Sequence, residues 1–201
     1  MKPNELFERI AEVLPPLDGW CELAKANVLA ASVLALRPPA TVVEIGVFGG
    51  KSLIPMALAC ETIGAGMVIG IDPWSADASI EGQTAEDQRY WASVDHEAIY
   101  RKFLEHLRAL AIESRVTIWR ARSDDVVPPA TIDLLHVDGQ HTEQAVRDVV
   151  RFASNVRLGG LCCMDDTTWS TDVQRAVESL KQLGFVKLYD LGIGAMFQRR
   201  S

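Results

Sequence analysis

The stretch Thr41-Val-Val-Glu-Ile-Gly-Val-Phe-Gly-Gly-Lys51 joins a run of apolar, largely β-branched residues to a cluster of glycines. The residues up to Ile45 are typical of a strand that is buried on both faces of a sheet. The glycines allow a tight turn that approaches a ligand closely, and helical spacing resumes over residues 52–60. A strand, turn and helix in this order direct free backbone N–H groups at a ligand.

A second apolar run, residues 67–71, ends in Asp72. In βαβ units that bind a nucleotide-like cofactor, an acid about 20 residues after the glycines accepts hydrogen bonds from the ribose hydroxyls. The glycine turn taken alone also fits an ordinary connection between a strand and a helix. Asp72 at this spacing favours a cofactor site.

Length and charge limit the classes of protein that the chain can belong to. Its 201 residues, 48% of them hydrophobic, predict one domain with a full core. The net charge of −7 argues against a nucleic-acid or anionic-membrane partner, because phosphate binding depends on clustered Lys and Arg. The sequence shows no signal peptide and no apolar run of membrane-spanning length. We therefore expect a cytoplasmic protein that acts on a small neutral or cationic molecule.

The four cysteines are scattered along the chain without CxxC spacing, at Cys21, Cys60, Cys162 and Cys163. This distribution predicts reduced, mostly buried thiols. It does not have the ligand spacing of a zinc site.

Two segments lie outside the predicted sheet. Residues 1–38 contain two helical patterns, 4–14 and 20–36, and a pair of prolines follows each. We expect this N-terminal region to cover an edge of the sheet or to form a contact in a homo-oligomer, with no catalytic residue. Residues 73–94 are polar with three aromatic side chains, which predicts an irregular lid or substrate loop. A disordered excursion is the open alternative for that segment.

Strand and helix patterns alternate along the rest of the chain. Strands are predicted at 116–119, 132–137 and 161–164, a capping box at Thr171 begins the last helix, and a hairpin of strands 185–188 and 195–198 ends the chain. This order predicts an α/β fold with a parallel sheet. Ligands of such sheets bind at the carboxyl ends of the strands.

Acidic residues follow two of the predicted strands. Asp138 and His141 come after the fourth strand, and Asp165 and Asp166 come after the fifth. Three carboxylates brought together would repel one another unless a cation neutralised them, and an oxygen-only donor set suits Mg²⁺. His141 could then act as a general base. Each residue alone also fits a turn, a cap or a surface position, but their joint placement favours a site.

Several of these segments resemble a known family. Glu44, Gly46 and Gly50, with Phe48 between them, match motif I of class I S-adenosylmethionine (SAM) methyltransferases. Residues 43–52, 72–74, 136–141 and 159–166 closely resemble the branch that contains macrolide-sugar O-methyltransferases of the mycinamicin and macrocin type and the related cephalosporin-pathway proteins. The resemblance covers about residues 41–170 and leaves out the long N-terminal region of the macrolide enzymes.

The resemblance implies a fold and a set of site residues. The implied fold is a Rossmann-like, mostly parallel seven-stranded sheet with one antiparallel strand and helices on both faces. The implied SAM contacts are Glu44, Gly46, Phe48, Gly50, Ser52, Asp72, Trp74, Ser123, Asp124 and Asp138. The implied Mg²⁺ ligands are Asp138, Asp165 and Asp166, with Asp138 and His141 as catalytic residues. Ser123 and Asp124 equally fit a role as caps of the next turn.

The resulting prediction is a SAM-dependent, Mg²⁺-dependent O-methyltransferase that acts on a hydroxyl of a small polar molecule such as a sugar or a secondary metabolite. An NAD-dependent oxidoreductase would use the same glycine turn and Asp72, but Phe48 replaces its middle glycine and Glu44 has no evident task there. A non-catalytic SAM-binding protein is the third alternative, in which the acidic residues form a solvated edge.

Overall fold

In the computed structural model, which describes residues 2–201, seven strands form one sheet in the order β3-β2-β1-β4-β5-β7-β6. The strands are β1 (Thr41–Ile45), β2 (Met67–Ile71), β3 (Val116–Trp119), β4 (Ile132–Val137), β5 (Val156–Met164), β6 (Phe185–Leu191) and β7 (Gly194–Arg199). β7 is antiparallel to both of its neighbours, and β1 to β5 pair in parallel. The predicted mostly parallel sheet with one reversed strand is confirmed.

Eight helices surround the sheet in the described part of the chain: α1 (Pro3–Val13), α2 (Leu23–Leu34), α3 (Leu53–Thr62), α4 (Ala76–Ile80), α5 (Ala85–Ser93), α6 (His96–Ala109), α7 (Glu143–Asp148) and α8 (Thr171–Gln182). Short 3-10 turns lie at Glu113–Arg115 and Ser123–Asp125, and a π turn at Val149–Ala153 continues α7. None of the described helices has both the length and the apolar composition that a membrane crossing requires.

The helices cover both faces of the sheet. Val42 and Val43 are consecutive in β1 but belong to different buried clusters, because successive side chains of a strand point to opposite faces. The cluster around Val42 includes side chains of α1, α2, α3 and α6, whereas the cluster around Val43 includes side chains of α7 and α8. All four cysteines are buried and free, as the sequence predicts.

The structure corrects several element boundaries. Residues 73–94 are not irregular: they contain α4 and α5, and Thr84 caps α5 by accepting a hydrogen bond from the Asp87 amide at 3.2 Å. No residue of α5 is buried, so polarity concealed its helical pattern. Their role as a lid stays a prediction. The cap of α8 is Ser170 rather than Thr171, since the Ser170 hydroxyl accepts from the Val173 amide at 3.1 Å.

Two further elements begin at other residues than predicted. α2 begins at Leu23 instead of residue 20, and β5 begins at Val156, five residues before the predicted strand. The start of β5 contains Gly159 and Gly160, which signalled a loop in the sequence. A Cβ on Gly160 would lie 2.7 Å from the Val156 side chain, so the extended backbone at this point needs a residue without a side chain.

Candidate active site

A cavity of about 520 Å³ lies at the carboxyl ends of β1, β2, β4 and β5. We call it the strand-end cavity. Its wall includes the glycine turn after β1, parts of α4 and α5, and the residues that follow β4 and β5. Its volume lies within the range of small-molecule and cofactor sites, roughly 300 to 1,000 Å³. The parallel β1 and β4 end in register, with Ile45 opposite Val137, so the loops after them meet at this edge.

The glycine turn is shaped by close contact with the loop after β4. Gly46 has φ +87°, and a Cβ there would lie 2.5 Å from the Asp138 carbonyl carbon and closer still to its oxygen. Gly46 therefore allows the two loops to approach each other, and only glycine adopts this conformation without strain. Phe48 also has a positive φ, +50°, which keeps the turn tight.

Asp72 holds this turn in place. Its Oδ2 accepts hydrogen bonds from the amides of Val47 at 3.0 Å and Phe48 at 2.9 Å, and its Oδ1 accepts from the Trp74 amide at 2.7 Å. Burial raises the pKa of Asp72, and these backbone hydrogen bonds oppose that effect. A carboxylate has about four acceptor positions. The cavity wall includes Asp72, so one acceptor position is left for a ligand; that this ligand is a ribose hydroxyl stays a prediction.

The structure brings six of the ten predicted cofactor residues to the cavity wall: Gly46, Phe48, Ser52, Asp72, Ser123 and Asp138. The other four do not reach it, for separate reasons. Glu44 is fully buried beneath the wall, and Gly50 lies against the ring of Phe103. Trp74 is buried and packs on the rings of Tyr100 and Phe103. Asp124 points outward to Arg147 and Arg151.

Glu44 instead forms a buried pair with His136 of β4. The Ser52 hydroxyl donates to Glu44 Oε1, and His136 Nδ1 lies 2.7 Å from the same oxygen. Burial raises the pKa of Glu44 to about 8. Burial, assisted by the charge of Lys25, lowers the pKa of His136 to about 3. Burial thus favours the uncharged form of each side chain, and the pair links β1 to β4.

Lys25 of α2 reaches the carboxylates that follow β4 and β5. Its Nζ lies 3.3 Å from Asp138 Oδ2 and also donates a hydrogen bond to Asp165 Oδ2. Burial would lower the pKa of Lys25, but the two carboxylates outweigh it and raise the pKa, so the ammonium is retained. Sequence reasoning missed this residue. The signal was present, because Lys25 is the one charged residue in the apolar sequence of α2 and buried lysines are rare unless paired.

His141 and Asp166 form a second pair on the cavity wall. His141 Nε2 lies 2.8 Å from Asp166 Oδ2, and the ring of Trp169 lies 5.5 Å from the imidazole, centroid to centroid. Both His141 and Asp166 line the strand-end cavity. The predicted base therefore lies at the cavity with a carboxylate beside one of its ring nitrogens, although the two groups are not aligned for a hydrogen bond.

This arrangement does not fit the predicted magnesium site. Asp138 and Asp165 are bridged by the Lys25 ammonium, and Asp166 faces His141 instead of the other two acids. The ligand-type atoms that do lie within 4.8 Å of one another belong to His136, Asp138 and Asp165, and one of them is a nitrogen. Mg²⁺ prefers oxygen donors in an octahedral arrangement. The magnesium prediction is therefore not confirmed.

The strand order with a reversed β7, and the glycine turn above a cavity at the strand ends, define a class I SAM-dependent methyltransferase fold. A family described as "Methyltransferase domain" matches residues 43–167, which is more than half of the chain. The chain belongs to this family. A search of curated protein sequences finds no significant match.

Solved structures share the fold at low sequence identity. The O-methyltransferase NovP is 17% identical with a TM-score of 0.72, and the match covers 89% of this chain and 81% of NovP. The SAH-bound methyltransferase PaMTH1 of Podospora anserina is 12% identical with a TM-score of 0.62, over 99% and 88% of the two chains. CalS11, a TDP-rhamnose 3'-O-methyltransferase of calicheamicin biosynthesis, is 16% identical with a TM-score of 0.55, over 97% and 93%.

Proposed function

We propose that this methyltransferase uses SAM to methylate a hydroxyl group of a small polar molecule, such as a sugar or a secondary metabolite. The observation that carries the proposal is the His141–Asp166 pair, which lines the same strand-end cavity as the glycine turn. NovP and CalS11, which share the fold, are O-methyltransferases by description, and the acceptor of CalS11 is a nucleotide sugar.

Bound SAM supplies an activated methyl group, and the residues of the chain bind and orient the two reactants. The cofactor is held at the turn around Gly46 and by the carboxylate of Asp72, which has one acceptor position left beside the three amides that it already binds. The Asp166 carboxylate lies 2.8 Å from Nε2 of His141, where its negative charge favours the imidazolium that forms on proton transfer. His141 is the group that accepts the proton of the acceptor hydroxyl.

The rim of the cavity suits an acceptor with an apolar part. Trp20 and Trp169 are both 64% exposed and line the cavity together with Ile193. Large exposed aromatic side chains at the mouth of a cavity are typical of a binding surface. A hydroxylated molecule with a flat or apolar face could contact them while its hydroxyl reaches His141.

The resemblance to the macrolide-sugar branch also predicts that the enzyme requires Mg²⁺. The support for this requirement is the close approach of Asp138 and Asp165, with His136 beside them. The contacts of Lys25 with both of these acids, and of Asp166 with His141, speak against it. No step of the proposed chemistry needs the metal.

Thermal unfolding with added cofactor tests the proposal. A ligand that binds the folded chain at about 100 times its Kd stabilises it by roughly 2.7 kcal/mol. We expect SAM and S-adenosylhomocysteine (SAH) to raise Tm and NAD to leave it unchanged. A shift with NAD alone would favour the oxidoreductase alternative.

Methyl transfer is tested separately, with isotopically labelled SAM and a panel of hydroxylated acceptors that includes nucleotide sugars and phenolic metabolites. Transfer of label to an acceptor oxygen supports the proposal. Tight SAM binding without transfer to any acceptor would favour a non-catalytic SAM-binding protein.

A further inference from the structure

The N-terminal helical region contributes a charged group to the active site. Lys25 lies in the third position of α2, whose other residues are uncharged, and its side chain is 10% exposed. Its partners Asp138 and Asp165 lie 113 and 140 residues further along the chain. A long, flexible lysine is held in one conformation here because both carboxylates accept hydrogen bonds from the same ammonium.

The two carboxylates need a cation. Asp165 is 7% and Asp138 is 22% exposed at the side chain, and the fully buried His136 places Nε2 3.8 Å from Asp138 Oδ2. Two acids this close and this poorly hydrated would not both stay ionised without a positive neighbour. Among the described residues, Lys25 is the basic side chain that contacts them.

We propose that Lys25 is the resident cation of the active site and takes the place of a divalent metal ion. Lys25 is not part of the cavity wall, so it is a positioning residue that acts through Asp138 and Asp165, which are. Its ammonium fixes these two carboxylates where the cofactor and the acceptor meet. The role in methyl transfer rests on the proposed function, whereas the claim about the cation does not.

Metal binding to the chain can be measured without an acceptor, and it distinguishes a resident ammonium from a divalent cation. The wild-type chain should not bind Mg²⁺ or Mn²⁺ at Asp138 and Asp165, because the ammonium already occupies the space between them. Replacing Lys25 by an uncharged side chain leaves two carboxylates with room for a cation, and hard divalent cations bind such oxygen donors.

The first experiment titrates the wild-type chain with Mn²⁺, with and without SAH, and follows the free ion by electron paramagnetic resonance. We expect no stoichiometric site. A Mn²⁺ site in the wild-type chain that disappears in Asp165→Asn would overturn the proposal.

The second experiment compares Lys25→Met with the double variant Lys25→Met/Asp165→Asn. Lys25→Met should gain a Mn²⁺ site, with affinity on the order of tenfold or more above the wild type, and the double variant should lose it again. Ser32→Ala is the control for a substitution in the same helix, since the Ser32 hydroxyl donates to the Val28 carbonyl oxygen of its own helix. A folded Lys25→Met that binds no more Mn²⁺ than Ser32→Ala would contradict the proposal.

The Mn²⁺ titrations test the resident cation whether or not the proposed function is right and whether or not Lys25→Met folds. If Lys25→Met does not fold, the wild-type titration with Asp165→Asn still decides the question. A chain that binds neither Mn²⁺ nor SAH would support the resident cation and contradict the cofactor binding that the proposed function requires. A chain that binds both would support cofactor binding and contradict the resident cation.

Discussion

At the scale of single residues, the charged and polar side chains around the strand-end cavity occur in pairs. Glu44 lies against His136, and His141 lies against Asp166. Lys25 contacts Asp165 and Asp138. Pairing reduces the cost of placing titratable groups at a poorly hydrated sheet edge. It also separates their roles, because the Glu44 pair is buried and the His141 pair faces the cavity.

His141→Ala removes the proposed base. We expect kcat to fall by about 10² to 10⁴, the usual effect of losing a general base. SAH affinity, measured by calorimetry, should not change. Asp166→Asn is the matched comparison, because it keeps the shape of the neighbour and removes its charge, and it should reduce kcat by less. Loss of SAH binding in His141→Ala, with kcat retained, would show that the residue serves the cofactor instead.

The raised pKa of Asp148 should make the stability of the folded chain depend on pH. Asp148 is buried on the cavity wall and accepts a hydrogen bond from Gln144 Nε2 at 2.8 Å. Burial raises its pKa from 3.8 to about 6. The folded chain therefore holds this proton to higher pH than the unfolded chain does. The proton bound to Asp148 thus stabilises the folded chain. This stabilisation is complete below the pKa of Asp148 in the unfolded chain, and it is lost as the pH rises through the pKa of Asp148 in the folded chain.

Asp148→Asn should remove this loss, because the amide oxygen can still accept from Gln144 and carries no charge. Above about pH 7 the variant should be more stable than the wild type by up to about 3 kcal/mol. Urea unfolding at several pH values between 4 and 8 measures the difference. The gap between the two proteins should open mainly between pH 4 and 6. A gap that is constant across this range would contradict the assignment of the raised pKa to Asp148.

At the scale of elements, the connections after the strands build the site, and the strands themselves supply the frame. The turn between β1 and α3 is held on one side by the Asp72 carboxylate after β2 and on the other by the loop after β4. α4 and α5 line the strand-end cavity, and none of the residues of α5 is buried. Elements with few buried contacts are the ones that open most easily.

Gly46→Ala tests the contact between the turn and the loop after β4. The added Cβ would meet the Asp138 backbone, which has no flexible end that could move aside, so the turn must shift. We expect the SAH-induced rise in Tm to disappear. Gly64→Ala is the control, since Gly64 also has a positive φ, +67°, but has nothing within 4 Å of the added Cβ. It should cost only the backbone strain, about 1 to 2 kcal/mol, and keep the SAH response. An equal loss in both variants would attribute the effect to strain alone.

At the scale of the whole molecule, the active site joins segments that are far apart in the chain. α2 packs on α3 and thereby carries Lys25 to the ends of β4 and β5. The N-terminal region, expected to cover the sheet or to form an oligomer contact, also supplies a charge to the site. Substitutions that loosen the packing of α1 or α2 would therefore affect the geometry of Asp138 and Asp165, although neither helix lines the cavity.

The sequence by itself determined the frame of this protein. Buried runs with local turn signals predicted all seven strands, because periodicity and glycine placement are properties of neighbouring residues. It also placed Gly46, Asp72, Asp138 and His141 at one edge, since the carboxyl ends of parallel strands meet there. The sequence did not predict α4 and α5, because these exposed helices lack the apolar stripe that identifies a helix in a sequence.

Only the tertiary structure decided how the charges at that edge are neutralised. From the sequence, Glu44 predicts a cofactor contact and three acids predict a magnesium site. In the fold, Glu44 is paired with His136 beneath the wall, and Lys25 lies between Asp138 and Asp165. The partner of a buried charge depends on which helix packs over which strand end, and a pattern of neighbouring residues contains no information about a contact that spans more than a hundred residues.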